Sequence, residues 1–263
     1  MLNTRMREVW ARGEVAFGSW CAFGNIGVAE SIASVDYDFN CIDTQHGGAG
    51  YETSLELLNV IDRGAGTPTV RVPWNEPGII GKTLDAGANA VIVPMVNTVE
   101  QAQAAVSYAL YNPRGVRSWG PARADMRQSG YTPEAANEAN VLIPMIETTQ
   151  AMRNLDDILA VDGVDAIYVG PADLSITLGL PPGNNDDEPA FTEALQYIVD
   201  RCNNAGVVAG IHSTPALSAL RVEQGFRMIT VGHDSVLLRA ALSTALATSR
   251  GDAPATGGAT PLY

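Results

Sequence analysis

Two carboxylates, Glu147 and Asp173, each stand just past a short apolar run. The first run reads Val141-Leu-Ile-Pro-Met-Ile146 and leads directly into Glu147. The second reads Ala166-Ile-Tyr-Val-Gly170 and is followed by Pro171, Ala172 and Asp173. If both runs are strands of a parallel α/β barrel, their ends gather at the one face where such barrels do their chemistry. Two carboxylates meeting there, with few cations near them in sequence, suit a hard divalent metal held through oxygen. A plainer role is open to each, because an acid just ahead of a helix can cap it, and Glu147 precedes Thr148 and Thr149. The repetition at successive strand ends and the Gly170-Pro171-Ala172 loop favour the metal. The backbone N–H groups of Ala172 and Asp173 are also placed to hold a carboxylate, as helix N-termini do.

Other strand ends carry other chemistry. Ile42-Asp-Thr-Gln-His46-Gly-Gly48 follows the second apolar run and puts a histidine in a glycine-flanked loop. His212 and His233 occupy similar places after later runs, so position alone does not single out His46. Arg71 ends the third run, where its fork of donors can meet an oxyanion or simply pair with a structural acid. Basic residues total 16, and the single lysine, Lys82, lies within a helical stretch at 77–86. Schiff-base catalysis needs a desolvated lysine, so that mechanism is not expected. No glycine-rich nucleotide fingerprint and no zinc-finger spacing occur.

Apolar runs at 15–20, 39–43, 69–71, 90–94, 141–146, 166–169, 207–211 and 228–231 read as strands. Helical patterns fall between them at 51–63, 77–86, 98–108, 151–159, 188–205, 215–224 and 235–247. That alternation predicts α/β, a (β/α)8 TIM barrel forming one domain over 1–250 with a flexible tail at 251–263. The polar stretch 111–140, with Arg114, Arg117, Arg123 and Arg127, reads as a long functional loop, either a lid or a subunit contact.

The chain has 263 residues and a formal net charge of −13. Nucleic acid, which needs a basic face, is not an expected partner. No apolar run is long enough for a membrane span. Three cysteines without CxxC spacing are expected to be reduced, in a cytoplasmic protein.

In order along the chain, the stretches FNCIDTQHGG, PTVRVPWNEPG, LDAGANAVIVPMV, GVRSWGPAR, LIPMIET and VDAIYVGPADLS resemble the HpcH/HpaI aldolase family of metal-dependent pyruvate aldolases. The resemblance implies a barrel of the phosphoenolpyruvate/pyruvate type with an exchanged C-terminal helix. It implies reversible cleavage of a 4-hydroxy-2-oxo acid to pyruvate, or a related 2-oxo acid, and an aldehyde through an enolate. By matched position, His46 is the general base, Arg71 stabilises the enolate oxygen, and Asp85 raises the basicity of the histidine. Glu147 and Asp173 are the metal ligands, while Gly170, Ala172, Arg71 and Trp20 contact substrate. The implied cofactor is Mg2+, with Mn2+ or Co2+ as alternatives, and the implied assembly is a homo-hexamer built as a trimer of dimers. Met145 stands where some members carry a substrate-contacting glutamine, and Gln45 replaces an acid beside the base. The rival readings are a CoA-thioester lyase or oxaloacetate decarboxylase of the same superfamily, and a non-catalytic barrel that binds an oxo acid.

Overall fold

A computed structural model describes residues 2–252. Eight strands, β1 (Ala16–Cys21), β2 (Phe39–Asp43), β3 (Thr67–Arg71), β4 (Ala90–Val93), β5 (Val141–Ile146), β6 (Ala166–Val169), β7 (Val208–His212) and β8 (Met228–His233), pair in chain order and all in parallel. β8 closes onto β1, so the sheet is a barrel without free edges. The register shifts between Gly18 and Ser19 where β1 meets β8. This is the expected (β/α)8 fold.

Side-chain alternation sets which residues face the lumen. The inner cluster contains Trp20, Phe39, Cys41, Ala90, Ile92, Ile143, Met145, Ala166, Tyr168 and Met228. Stepping by two from these members carries the inner face to Asp43 on β2 and to Glu147 beyond β5. The same step from Tyr168 reaches Gly170. The sequence therefore places acids at the strand ends of the same face that its apolar residues fill lower down. Space in the lumen is tight: a Cβ on Gly18 would lie 2.4 Å from ring carbons of Phe39. The barrel floor is plugged by α1 (Arg5–Ala11), whose Met6 and Val9, three apart on one helical face, join the inner cluster. Trp10 Nε1 donates to the Arg227 carbonyl at 3.0 Å, and Arg7 pairs with Asp165 at 2.8 Å, tying the plug down.

The outer ring comprises α2 (Ile26–Ala33), α3 (Tyr51–Ile61), α4 (Pro77–Asp85), α5 (Val99–Ala109), α6 (Ala122–Arg127), α7 (Pro133–Ala139), α8 (Thr149–Arg153), α9 (Leu155–Leu159), α10 (Pro171–Thr177), α11 (Pro189–Ala205), α12 (Ser218–Gln224) and α13 (Asp234–Arg250). Side-chain oxygens of Asn25, Thr98, Thr132 and Thr148 cap α2, α5, α7 and α8. Three expectations need correction. The segment 111–140 is not an open loop, because Ala124 of α6, Ala136 of α7 and Tyr131 between them pack onto Tyr111. The helix expected over 151–159 breaks at Asn154, whose side chain donates to the Asn97 carbonyl at 2.7 Å. A helix, α10, begins at Pro171, inside what reads in sequence as a loop.

α13 leaves Val236, Leu237, Leu238, Leu242 and Leu246 exposed, and of its residues only Asp234 is buried. All but two residues of the expected tail lie outside the described residues. No described helix is long and apolar enough to cross a membrane.

Candidate active site

One cavity of about 550 Å3 opens at the C-terminal ends of the strands. His46, Arg71, Glu147, Gly170, Ala172, Asp173 and Trp20 all line it, so seven of the eight residues singled out in the sequence converge. Asp85 does not. It is the last residue of α4, the helix that returns towards the start of β4. Its carboxylate lies 2.6 Å from Arg117, and it lines a separate pocket with Lys82 and Ser118. Within one chain, the expected pairing of Asp85 with His46 is therefore replaced by an ion pair. Helix α4 carries its end away from the strand-end face, and Arg117 is held beside it by its N–H to the Leu110 carbonyl at 3.0 Å and by its guanidinium lying 4.4 Å over the Tyr111 ring.

Glu147 is 2% exposed. Its Oε1 accepts the Met95 N–H at 2.7 Å. Met95 adopts φ 56°, a left-handed conformation that costs a non-glycine residue free energy and here presents that N–H to the carboxylate. Glu147 does not cap the next helix; Thr148 does, accepting from Ala151 N at 3.0 Å. Burial, helped by the charge of Asp173, pushes the Glu147 carboxyl up to about 7, against the opposing Met95 N–H and Arg71. A buried carboxylate held this far from its ordinary range lacks cationic compensation. Asp173, exposed on the first turn of α10, adds a second set of oxygens. Among the described residues no three His, Cys, Asp or Glu side chains form a ready-made metal cluster. The two acids fit a hard divalent ion that keeps several waters. Gly170 completes this cradle: a Cβ there would lie 2.5 Å from Glu147 Oε2. Gly170→Ala is expected to displace that carboxylate and cut activity at least tenfold, with thermal unfolding of the metal-free protein little changed. Wild-type activity in the variant would show that the carboxylate tolerates the displacement.

Asp43 is the organising acid that motif reading overlooked. Its Oδ2 accepts Arg71 Nη2 at 2.6 Å, and its Oδ1 accepts Arg71 Nε at 2.9 Å. The same Oδ1 accepts backbone N–H groups of Gln45 at 3.1 Å and His46 at 3.3 Å. One buried carboxylate thus orients both the arginine fork and the histidine loop. Burial works to raise the Asp43 carboxyl, but Arg71 outweighs it and holds it below the usual range. The Arg71 guanidinium also lies 5.0 Å over the Trp20 ring. The available signal for Asp43 was its parity, since it falls on the inner face two residues beyond Cys41.

The β7–β8 side carries His212, His233 and Ser235, with Gly183 and Asn184 from the loop before α11. His212 packs edge-on against Trp20, with ring centroids 5.0 Å apart. Its Nδ1 lies 3.5 Å from the Tyr168 hydroxyl. Burial, then the neighbouring His233 and Arg71, lower His212 to about 4. The unfolded chain therefore takes up this proton first. Stability is full above about pH 6.5 and declines as the pH falls towards 4, by up to about 3 kcal/mol. His212→Gln should remove that acid-sensitive component, read from denaturant midpoints at pH 7 and pH 4. An equal loss in both proteins would show that His212 contributes none of it.

Lys82 is exposed on α4, its ammonium 4.2 Å from the Tyr51 ring centroid, and it does not line the active cavity.

A family model for HpcH/HpaI aldolase/citrate lyase matches residues 17–241. The chain belongs to that family. A hydroxypyruvate/pyruvate aldolase of Rhizorhabdus wittichii is 37% identical, covering 94% of this chain and 98% of its own. A 4-hydroxy-2-oxo-heptane-1,7-dioate aldolase of Salmonella arizonae is 34% identical over the full length of both. The crystal structure of an HpcH/HpaI aldolase/citrate lyase family protein from Burkholderia cenocepacia superposes with a TM-score of 0.88. It is 29% identical, with 94% of this chain and 99% of that one covered.

Proposed function

We propose that the chain is a class II aldolase, a carbon–carbon lyase that reversibly cleaves 4-hydroxy-2-oxo acids to pyruvate, or a closely related 2-oxo acid, and an aldehyde. The observation that carries this reading is the meeting of an oriented Arg71 fork with the under-compensated Glu147 carboxylate in one cavity. The aldolase names of relatives at 34–37% identity support it.

Glu147 and Asp173 hold a divalent ion, with Mg2+ the best match to an all-oxygen site and Mn2+ or Co2+ as alternatives. When bound, that ion supplies Lewis-acid polarisation of a keto oxygen. Arg71 donates to the same developing oxyanion, its orientation fixed in advance by Asp43, so no reorganisation is needed as charge grows. The N–H groups at Ala172 and Asp173 receive the substrate carboxylate. In cleavage His46 takes the proton of the C4 hydroxyl, the C3–C4 bond breaks, and the aldehyde leaves. The bond's electron pair passes into C2–C3 as the enolate, and C3 then takes up a proton to give the oxo acid. In the synthetic direction His46 removes a methyl proton, and C3 forms the new bond to the aldehyde carbon. A positioned base contributes roughly 10²–10⁴-fold to such steps.

Met145 is buried on the cavity floor, where it gives an apolar surface in place of a glutamine amide. The exposed apolar side chains of α13 support assembly into a homo-oligomer, with the hexamer as the expected form. The three buried free thiols suit a reducing compartment such as the cytoplasm.

Proton–deuterium exchange at the pyruvate methyl group, followed by NMR, tests the reading without knowledge of the aldehyde. Exchange is expected with Mg2+ and should stop with EDTA. No exchange with any of the three ions would overturn the assignment.

A further inference from the structure

The residues given a role in handling the oxo acid come from the ends of β1, β2, β3, β5 and β6. The ends of β7 and β8 and the loop at 183–184 supply five more lining residues with no part in that chemistry: His212, His233, Ser235, Gly183 and Asn184. We propose that this side of the cavity is the subsite for the aldehyde, and that it selects a short uncharged hydroxyaldehyde over an aldehyde ending in a carboxylate. The proposal rests on the aldolase reading above.

The subsite offers hydrogen bonds from side chains that include no lysine or arginine, and the carboxylate beside it, Asp234, lies 3.5 Å from His233 Nδ1. His233 Nδ1 sits 2.9 Å from the Ser235 hydroxyl, so each can still meet a ligand hydroxyl through its remaining donor or acceptor. His212 is packed against Trp20 and Tyr168, an environment that disfavours an imidazolium. Asn184 spends its carbonyl oxygen on Arg221 Nη2 at 2.9 Å, and its amide N–H groups make no hydrogen bond among the described residues. A hydroxyl beside an aldehyde would find partners here.

A second carboxylate would not. The cavity lining already carries Asp43, Glu147 and Asp173. Its one arginine, Arg71, has two of its donor positions engaged by Asp43, and its third edge faces the oxo-acid chemistry. The arginines of the 111–140 segment do not line the cavity. Arg114 pairs with Glu138 and Asp162, Arg117 with Asp85, and Arg127 with Asp62, while Arg123 bonds the Ala86 carbonyl and Asn59. Among the described residues that line the cavity, no arginine or lysine remains free to receive a far carboxylate, and burying one unpaired is costly.

The subsite is also rigid. Arg221 is fully buried, and its guanidinium grips both oxygens of Asp186 at 2.6 and 2.8 Å as well as Asn184 and Gln224. Ser175 donates to the Gly183 carbonyl at 2.9 Å. The 183–186 corner is thereby fixed to α12 and α10, and Arg221 acts as a positioning residue for Asn184.

The test compares glycolaldehyde with succinic semialdehyde as acceptors for pyruvate with Mg2+, alongside methyl-proton exchange with no aldehyde present. The wild-type protein should show kcat/KM at least tenfold higher for glycolaldehyde. His212→Leu and Asn184→Ala should each lower kcat/KM for glycolaldehyde at least tenfold more than they lower methyl exchange, and the second variant keeps the test open should the first not fold. Arg221→Lys should raise KM for glycolaldehyde with a smaller change in kcat. A wild-type preference for succinic semialdehyde, or equal losses in exchange and aldol addition in both subsite variants, would overturn the subsite while leaving the aldolase assignment intact. Absence of wild-type exchange would instead remove the assignment, and the subsite with it.

Discussion

Arg71→Lys is expected to lower both pyruvate methyl exchange and aldol cleavage by about 10²–10³-fold, the loss typical of removing one oriented donor to an oxyanion. Charge is conserved in this variant; the fork is not. Arg71 spends Nε and Nη2 on Asp43 and keeps a third edge for the reacting oxygen, a division of labour that planar guanidinium geometry allows. An ammonium is a point charge, and a lysine that satisfies Asp43 has no fixed donor left. The damage extends further, because the same Asp43 oxygen holds the N–H groups of Gln45 and His46. Arg71→Ala is a poorer probe. It would strand a buried carboxylate without its cation, a loss of about 3–5 kcal/mol, and confuse catalysis with folding. A fall of less than threefold in Arg71→Lys, with the fold intact by circular dichroism, would separate Arg71 from the reacting oxygen.

Glu147→Gln should give opposite results in two assays. Metal-dependent turnover should fall below about a thousandth of the wild-type rate, since a neutral amide replaces the buried anionic ligand. The metal-free protein should become more stable at pH 8. Burial is the main reason the Glu147 carboxyl sits near 7 rather than near its ordinary value. A carboxyl raised on folding opposes folding once both states have lost the proton. The penalty is absent below about pH 4.5 and grows as the pH rises through about 7, where it reaches up to about 3 kcal/mol. Glutamine removes that cost and keeps an oxygen for the Met95 N–H. Denaturant titrations at pH 5 and pH 8, with EDTA present, would show a gain confined largely to the higher pH. An equal change at both would mean that the charge of Glu147 is not what strains the empty site. The trade of stability for function would then lie elsewhere.

Much of this site was legible because strands alternate. Trp20, Arg71, Glu147 and Gly170 were found at or just beyond strand ends, and the period of two brings them to the lumen beside Asp43, with His46 in the loop after β2 and Asp173 in the first turn of α10. Asp85 does not reach the cavity within one chain, for a reason the same rule does not address. It lies on a helix, and its partner Arg117 comes from a segment whose two short helices lack a long apolar period. Those helices, α6 and α7, are held by contacts among Tyr111, Ala124, Tyr131 and Ala136, distributed too irregularly to be read as a pattern. The three histidines were indistinguishable by position. Burial separates them: His46 is exposed on its loop, His212 lies against Trp20, and His233 bonds Ser235. Asp43 was readable in principle from its parity with Phe39 and Cys41 but was hidden by the more conspicuous histidine three residues on.

The lone lysine has a practical consequence. Lys82 is the chain's single ε-amine, exposed on α4 and resting on Tyr51 outside the active cavity. Amine-directed reagents, whether a fluorophore ester, a biotin tag or an activated resin, therefore find one side-chain target, and it is not in the cavity. A protein tethered there would present a uniform orientation instead of the mixture that a lysine-rich surface produces. Borohydride added with pyruvate has no buried amine in the cavity to reduce onto the substrate, so the intact mass should stay unchanged.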